Sequence, residues 1–281
     1  MVIIKIKGGL GNQLFQYAAG RAVALHQNVS LKLDTTMFES YKFHNGYRLD
    51  QYAIQAEIAT KNEIVNLQGG NNVLFSALRK VGFVKRKHYF KEKRSSCFDA
   101  SVFKNKSIYL DGYWQNELYF SNIRELLLRE LSPVSSLNDL GCGYLEAIKK
   151  SNSVSLHVRR GDYLHSKNIN VLDIDYYVEA VEHIRKYVEK PTFYIFSDDL
   201  DWCKKSLGFL DGCTYVGNTQ TEMDDLKLMS FCRHNIIANS SFSWWGAWLN
   251  QNPKKIVIAP KGWLISDPGS SNVILSEWVK L

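Results

Sequence analysis

The chain has 281 residues, 45% hydrophobic and 22% charged, with only five prolines, which excludes a solvated coil and, by length, favours two domains over one. Lysine plus arginine exceed aspartate plus glutamate, 35 against 28, for a net charge of +7, so anionic partners are favoured; with no zinc-finger spacing and no RNP-like motif, nucleic acid is not expected among them. Five cysteines without a CxxC pair argue against a disulfide framework or a structural zinc site and read as reduced thiols, and no segment approaches the ~20 apolar residues of a membrane span.

Residues 2–6 (VIIKI) form a predicted strand, too short to serve as a signal peptide. The glycine-rich turn KGGLGNQ follows, then Leu14, Ala18, Ala22 and Leu25 recur at helical spacing, and Val29, Leu31 and Leu33 alternate toward Asp34 as a second strand. This is a βαβ opening. From there to about residue 107 the pattern mixes helix and loop, with a break at QGGNN (68–72) and the densest basic stretch at KRKHYFKEKR (85–94). Regularity returns at SIYLDGYWQ (107–115), followed by a helix with Ile123, Leu127 and Leu131 on one face. The polar segment SPVSSLNDLGCG (132–143) reads as a domain boundary. Beyond it strands are predicted over 154–158, 192–197, 213–216, 235–238 and 255–259, alternating with helices over 175–188, 200–207, 222–232 and 242–249. Thr221 with Asp224 offers a capping box to the third of these helices. Repeated βα units predict parallel sheets with binding sites at the carboxyl ends of their strands.

Four motifs fall at such ends. In GGLGNQ, Gly9 and Gly11 begin a GxGxxG whose third glycine is replaced by Leu14, and Asp34 stands where a ribose-binding acid would be. A nicotinamide dehydrogenase therefore stays open. So does a plain tight turn with an asparagine helix cap, while Asn12 and Gln13 suit a sugar or phosphate oxygen. In HVRRGDY, Val154, Leu156 and Val158 share one face, His157 and Arg159 the other, and Arg160 follows. Two arginines at a strand terminus suit a pyrophosphate; Asp162 either holds one of them or acts as a base, and a structural ion pair accounts for the same residues. An adhesion loop is argued against by the RGD lying inside a βα unit. IFSDD ends the next strand with Asp198 and Asp199, which can bind a base or ribose, cap the following helix, or, least well without accompanying His or Glu, hold a metal. NSSFSWWGAWLN sets hydroxyls at a helix start suited to an anion, with Trp244, Trp245 and Trp248 read as core and Phe242 as a contact. No P-loop, GxSxG or HExxH occurs. Arginines, carboxylates and hydroxyls at three strand ends fit a nucleotide diphosphate better than separate structural roles do.

Taken together, GGLGNQLFQYAAGRAVA, YRLDQYAI, GYWQNELYF, HVRRGDY, IFSDD and NSSFSWWGAWL, in this order over nearly the whole chain, resemble the α-1,2-fucosyltransferases. The resemblance implies an α/β, GT-B-like fold of two Rossmann-like domains facing a cleft, an acceptor-side domain over 1–140 and a GDP-fucose-binding domain over 141–281. It implies inverting transfer of L-fucose from GDP-β-L-fucose to the 2-hydroxyl of a terminal galactose in an oligosaccharide or surface glycan, with no metal and no further cofactor. Carried onto this sequence, it assigns the β-phosphate to Arg159 with Arg160 beside it, the nucleoside side to His157, the guanine or ribose to Asp198, and closure over the diphosphate to Ser240, Ser241 and Phe242. Asn12, with Gly11 and Gln13, would reach the leaving group or acceptor from the other domain, and Asp162 is the candidate base unless it orients Arg160. The stretch 60–107 matches nothing in the family and leaves acceptor preference open. The enzyme is expected in a bacterial cytoplasm, with peripheral association at the inner membrane as an option. The rival readings are a transferase using another nucleotide sugar, a nicotinamide-dependent dehydrogenase, and a glycan-binding module without turnover.

Overall fold

An apolar run without alternation must be covered on both faces, and the first strand, β1 (Val2–Lys5), meets that demand with Val2, Ile3 and Ile4 fully buried. It feeds the helix α1 (Leu10–Gln27), which stops at Asn28, a left-handed residue whose N–H is bonded to the carbonyls of Ala24 and Leu25. The strand β2 (Leu31–Asp34) then pairs with β1 in parallel register. The computed structural model describes residues 1–40, 45–69, 88–94, 96–166, 169–263 and 272–281. Residues 70–72 of QGGNN and 85–87 of the basic stretch lie outside this set.

Two units result, Met1–Val134 and Ser135–Leu281. In the first, β3 (Glu57–Ile58), β4 (Tyr89–Lys91) and β5 (Ile108–Asp111) complete a parallel sheet of order β3-β2-β1-β5-β4. The mixed stretch of the sequence thus supplies both edges of this sheet. It also contains the helix α2 (Lys61–Gln68), opened by a capping box in which Thr60 and Glu63 satisfy each other's backbone N–H. The helix α3 (Arg124–Glu130) turns Leu127 inward as expected and brings Glu130 to α1, where the carboxylate accepts the Tyr17 hydroxyl at 2.5 Å and the Arg21 guanidinium at 2.8 Å.

The second unit opens on α4 (Asp139–Lys150), in the segment read from sequence as polar connection; Asn138 caps it by accepting the Gly141 N–H at 2.7 Å. Then follow β6 (Asn152–Val158), α5 (Ile174–Tyr187), β7 (Pro191–Ser197), α6 (Leu200–Ser206), β8 (Thr214–Tyr215), α7 (Glu222–Phe231), β9 (His234–Ile236), α8 (Ser241–Leu249), β10 (Val257–Ala259) and β11 (Val279–Lys280). All pair in parallel, in the order β11-β10-β9-β6-β7-β8. The Thr221–Asp224 box at the start of α7 is present as predicted. Trp244, Trp245 and Trp248 are core, packed against one another and against Trp278. The second sheet reverses its order once, between β6 and β9, and such a reversal leaves a crevice outside the carboxyl ends of the two strands; in the first the chain crosses from β3 to the far edge at β4 and steps back to β5 beside β1.

Two stability predictions follow. Glu130 is 5% exposed, and removing it strands a guanidinium and a hydroxyl that burial keeps from water. We expect Glu130→Ala to lower the free energy of urea unfolding by about 2–4 kcal/mol; an unchanged midpoint would show that the trio contributes nothing net. His157 is also buried, 4% exposed, with Nδ1 lacking a partner among the described residues, and burial followed by the Arg159 charge drives its pKa down to about 3. An unfolded chain protonates that ring near pH 6.5. Between those values the unfolded state binds the extra proton, so native stability rises with pH across the window. His157→Gln should flatten the climb in melting temperature between pH 4 and 6.5, and a parallel climb in both proteins would remove this histidine from the cause.

Candidate active site

Past the end of β6 the two arginines part. The Arg159 guanidinium approaches Asp162 Oδ1 through Nη2 at 2.8 Å and Nε at 3.0 Å, and Asp198 Oδ2 through Nη1 at 3.2 Å; it lies 5.5 Å over the Tyr163 ring. Of these contacts the Nε–H donation to Asp162 is a hydrogen bond, and the two terminal nitrogens are held as ion pairs. Arg160 instead stacks 4.2 Å over Trp202 and donates through Nε to Asp199 Oδ2 at 3.2 Å. Its backbone N–H donates to Asp198 Oδ1 at 2.9 Å. Asp162 therefore orients Arg159, and Asp199 both holds Arg160 and caps α6 through the Trp202 N–H at 3.0 Å. Gly161 makes this approach feasible: a Cβ there would stand 2.6 Å from Asp198 Oδ2.

Opposite lies the carboxyl end of β9. The Tyr163 hydroxyl crosses to the Asn239 carbonyl at 3.1 Å, and burial pushes its pKa up to about 12. α8 starts at Ser241 with Ser240 in the cap position making no side-chain cap bond and with no acidic residue in the first turn. Its positive end is thus not neutralised by its own side chains. The Phe242 ring lies 5.7 Å from that of His157. The structure brings His157, Arg159, Asp162, Asp198, Ser240, Ser241 and Phe242 around one crevice, the reversal point of the second sheet, and turns Arg160 toward α6.

Two contributors to the crevice, and one perturbed carboxylate elsewhere in the second unit, escaped the sequence reading. Tyr163 sat inside the quoted HVRRGDY, and Trp202 is three residues beyond Asp199, the spacing of one helical turn; both back an arginine with a ring. Asp225, half-buried in the first turn of α7 and bonded by the Thr219 hydroxyl at 2.8 Å, has its pKa raised to about 6 by burial, with Asp224 and Glu222 adding to it. Among the described residues no three His, Cys, Asp or Glu are grouped to hold a metal ion.

The first unit settles the readings of GGLGNQ. Gly9, not Asn12, occupies the cap position of α1, so the asparagine-cap alternative falls. Asp34 is 3% exposed and spent on Thr36 and the Tyr109 hydroxyl, so it offers no ribose acceptor. Gln13 is fully buried: its amide donates to the carbonyls of Gly8 (2.9 Å) and Gly46 (2.8 Å) and accepts the Arg48 N–H (2.9 Å). That side chain holds a loop rather than a ligand. Gly11 is buried in the first turn of α1. Asn12 is half-exposed, and its Oδ1 accepts from Gln115 Nε2 at 2.7 Å.

The profile of Glycosyl transferase family 11 matches residues 1–281. An alpha-1,2-colitosyltransferase of Escherichia coli is 35% identical, over 100% of this chain and 99% of its own. The O-antigen biosynthesis glycosyltransferase WbnK of the same organism is 32% identical, over 98% and 99%. Human galactoside alpha-(1,2)-fucosyltransferase 1 is 29% identical over 50% of this chain and 42% of its own. Among solved structures, Arabidopsis thaliana FUT1 in complex with GDP is similar at TM-score 0.55 and 13% identity, covering 91% of this chain and 69% of that one. The fucosyltransferase NodZ from Bradyrhizobium is similar at 0.50 and 12%, covering 87% and 91%. These likenesses agree with the two parallel-sheet α/β units in a GT-B-like fold. With a profile spanning every residue and two full-length relatives above 30% identity, the chain belongs to glycosyl transferase family 11, the family of the α-1,2-fucosyltransferases.

Proposed function

We propose that this glycosyltransferase takes a 6-deoxyhexose from its GDP ester, L-fucose in the first instance, and joins it α-1,2 to a galactoside with inversion at the anomeric carbon. The observation that carries the reading is Arg159, held by Asp162 and Asp198 at the reversal point through one hydrogen bond and two ion-pair contacts. When the C1–O bond to the β-phosphate breaks, negative charge gathers on that phosphate. A guanidinium already fixed by two carboxylates meets it without reorganising, beside the uncapped start of α8. His157, neutral in its buried position, adds no competing charge.

Asp198 is committed to Arg159 and to the Arg160 amide, so we assign the nucleobase to Asp225 instead. Guanine offers N1–H and its 2-amino group as adjacent donors, and a half-buried carboxylate with a raised pKa gains from both. The GDP in the FUT1 structure supports the choice of nucleotide. The acceptor hydroxyl attacks the face opposite the departing phosphate, and its proton must leave late. Asp162 Oδ2, uncommitted among the described residues, is the oxygen we assign to receive it. A second donor has a specific observation in its favour: the 35% identical relative is named a colitosyltransferase, and colitose is fucose lacking the 3-hydroxyl.

The deciding experiment measures GDP release from GDP-fucose and from GDP-colitose in EDTA, with and without a β-galactoside, followed by linkage analysis. Acceptor-dependent release and an α-1,2 product are expected with at least one donor; release from UDP-sugars alone would overturn the reading. Arg159→Ala should lower turnover by about 10²-fold or more at an unchanged melting temperature. Asp162→Asn keeps an oxygen facing Arg159 yet takes no proton, so it should reduce kcat by about 10²-fold. Near-normal kcat in that variant would leave Asp162 as an orienting residue only.

A further inference from the structure

In the first sheet β5 lies parallel beside β1, and the loops that follow these two strands are tied to one another. Gln16, fully buried, staples them together: its side chain accepts the Lys7 N–H at 2.9 Å and donates to the carbonyls of Lys7 (3.2 Å) and Gly112 (3.3 Å). Beyond β5 the chain runs Gly112, Tyr113, Trp114, Gln115. Trp114 is left-handed at φ 58°, a strained conformation for a bulky residue. Two things hold it there. Its ring is fully buried, edge-on to Tyr119 at 5.3 Å. The Glu92 carboxylate, just past β4, accepts the N–H of Tyr113 at 2.6 Å and of Trp114 at 3.1 Å. Gly112 is required by this approach, since a Cβ would lie 2.5 Å from that of Glu92.

The product of that strain is a display. Tyr113 keeps 38% of its surface exposed, with Lys7 Nζ 4.6 Å over its ring, and Lys7 is itself fixed by Asp111 at 3.1 Å. Two residues on, Gln115, 8% exposed, donates to Asn12 at 2.7 Å, which leaves Asn12 Nδ2 as donor and Gln115 Oε1 as acceptor without partners among the described residues. An aromatic face next to a donor and an acceptor is carbohydrate-binding chemistry. In galactose the axial 4-hydroxyl leaves the hydrogens on C3, C4 and C5 on one apolar face, suited to a ring, while the edge hydroxyls need the amides.

We propose that this crevice seats the acceptor: a galactopyranoside stacks on Tyr113 and is hydrogen-bonded by the Asn12–Gln115 pair, with Glu92 positioning the loop. The inference rests on the galactoside reading above, and two readouts separate them. One is steady-state kinetics with lactose at saturating donor, alongside donor hydrolysis without acceptor. The other is saturation-transfer NMR of methyl β-galactoside on the GDP-bound protein. Tyr113→Ala and Tyr113→Leu should raise the lactose KM at least tenfold and lose transfer to H3, H4 and H5, with donor hydrolysis and melting temperature unchanged; Tyr113→Phe should keep both. Wild-type KM and transfer in the Leu variant would overturn the site while the enzymatic reading stands. Galactoside binding that needs Tyr113 but never leads to transfer would uphold the site and sink the reaction. A wild-type protein that shows no transfer to the galactoside protons overturns the site outright.

Discussion

A parallel strand covered on both faces can carry almost no chemistry along its length. β6 makes the point: its last six residues are all buried, and the one titratable ring among them, His157, is held neutral. Whatever the protein does must therefore happen where such strands stop, and the helices that return the chain to the other edge decide how much space is left there. The second sheet reverses its order between β6 and β9, and in the first β5 lies beside β1, so in each the loops that follow two neighbouring but non-consecutive strands come together. The architecture makes two addresses before any side chain is chosen.

What fills them differs in kind. The second unit's crevice is a balance of full charges in which carboxylates outnumber the arginines they restrain: Asp162 and Asp198 on Arg159, Asp199 on Arg160. Such pairs add little to stability where they are partly exposed. Their effect is geometric, because a guanidinium held between two carboxylates, one of them hydrogen-bonded to its Nε–H, can turn in few directions. The first unit's crevice uses neutral amides and an aromatic face, mounted on a loop whose one strained residue is kept in place by a carboxylate from the neighbouring strand. A rigid cation suits a departing phosphate, and a wet, polarised ring suits a sugar. The chemistry of each crevice follows from which ligand property it must meet.

Much of this was legible in the sequence because long apolar runs announce themselves. VIIK, SVSLHV and TFYIFS became strands, and residues just after the last two line the candidate site. Short elements were harder to read: β3 and β11, two residues each, owe their existence to neighbours already in the sheet, while β8, equally short, falls within the predicted 213–216. α4 hid in a stretch whose glycines and serines suggested a linker, although Asn138 carried the cap. Side-chain direction was the other limit. Gln13 and Asn12 are adjacent amides in one motif, yet one serves backbone carbonyls and the other faces outward. Arg159 and Arg160 are consecutive, and only their side-chain partners, Asp198 and Asp199, each 39 residues on in the chain, with Asp162 on the first, tell them apart. Glu92 fell in a stretch that matched nothing, because its task is to hold a loop some twenty residues away.

The closeness of Gly161 to Asp198 carries a consequence for how this family can change over time. One carboxylate serves a guanidinium, a backbone amide and a steric gap at once. No single substitution at 159, 161 or 198 can be absorbed locally, since each alters the setting of the other two. Lineages should therefore keep the three together or exchange them as a set, whereas Tyr113, tied to a separate strand end, shares none of these contacts.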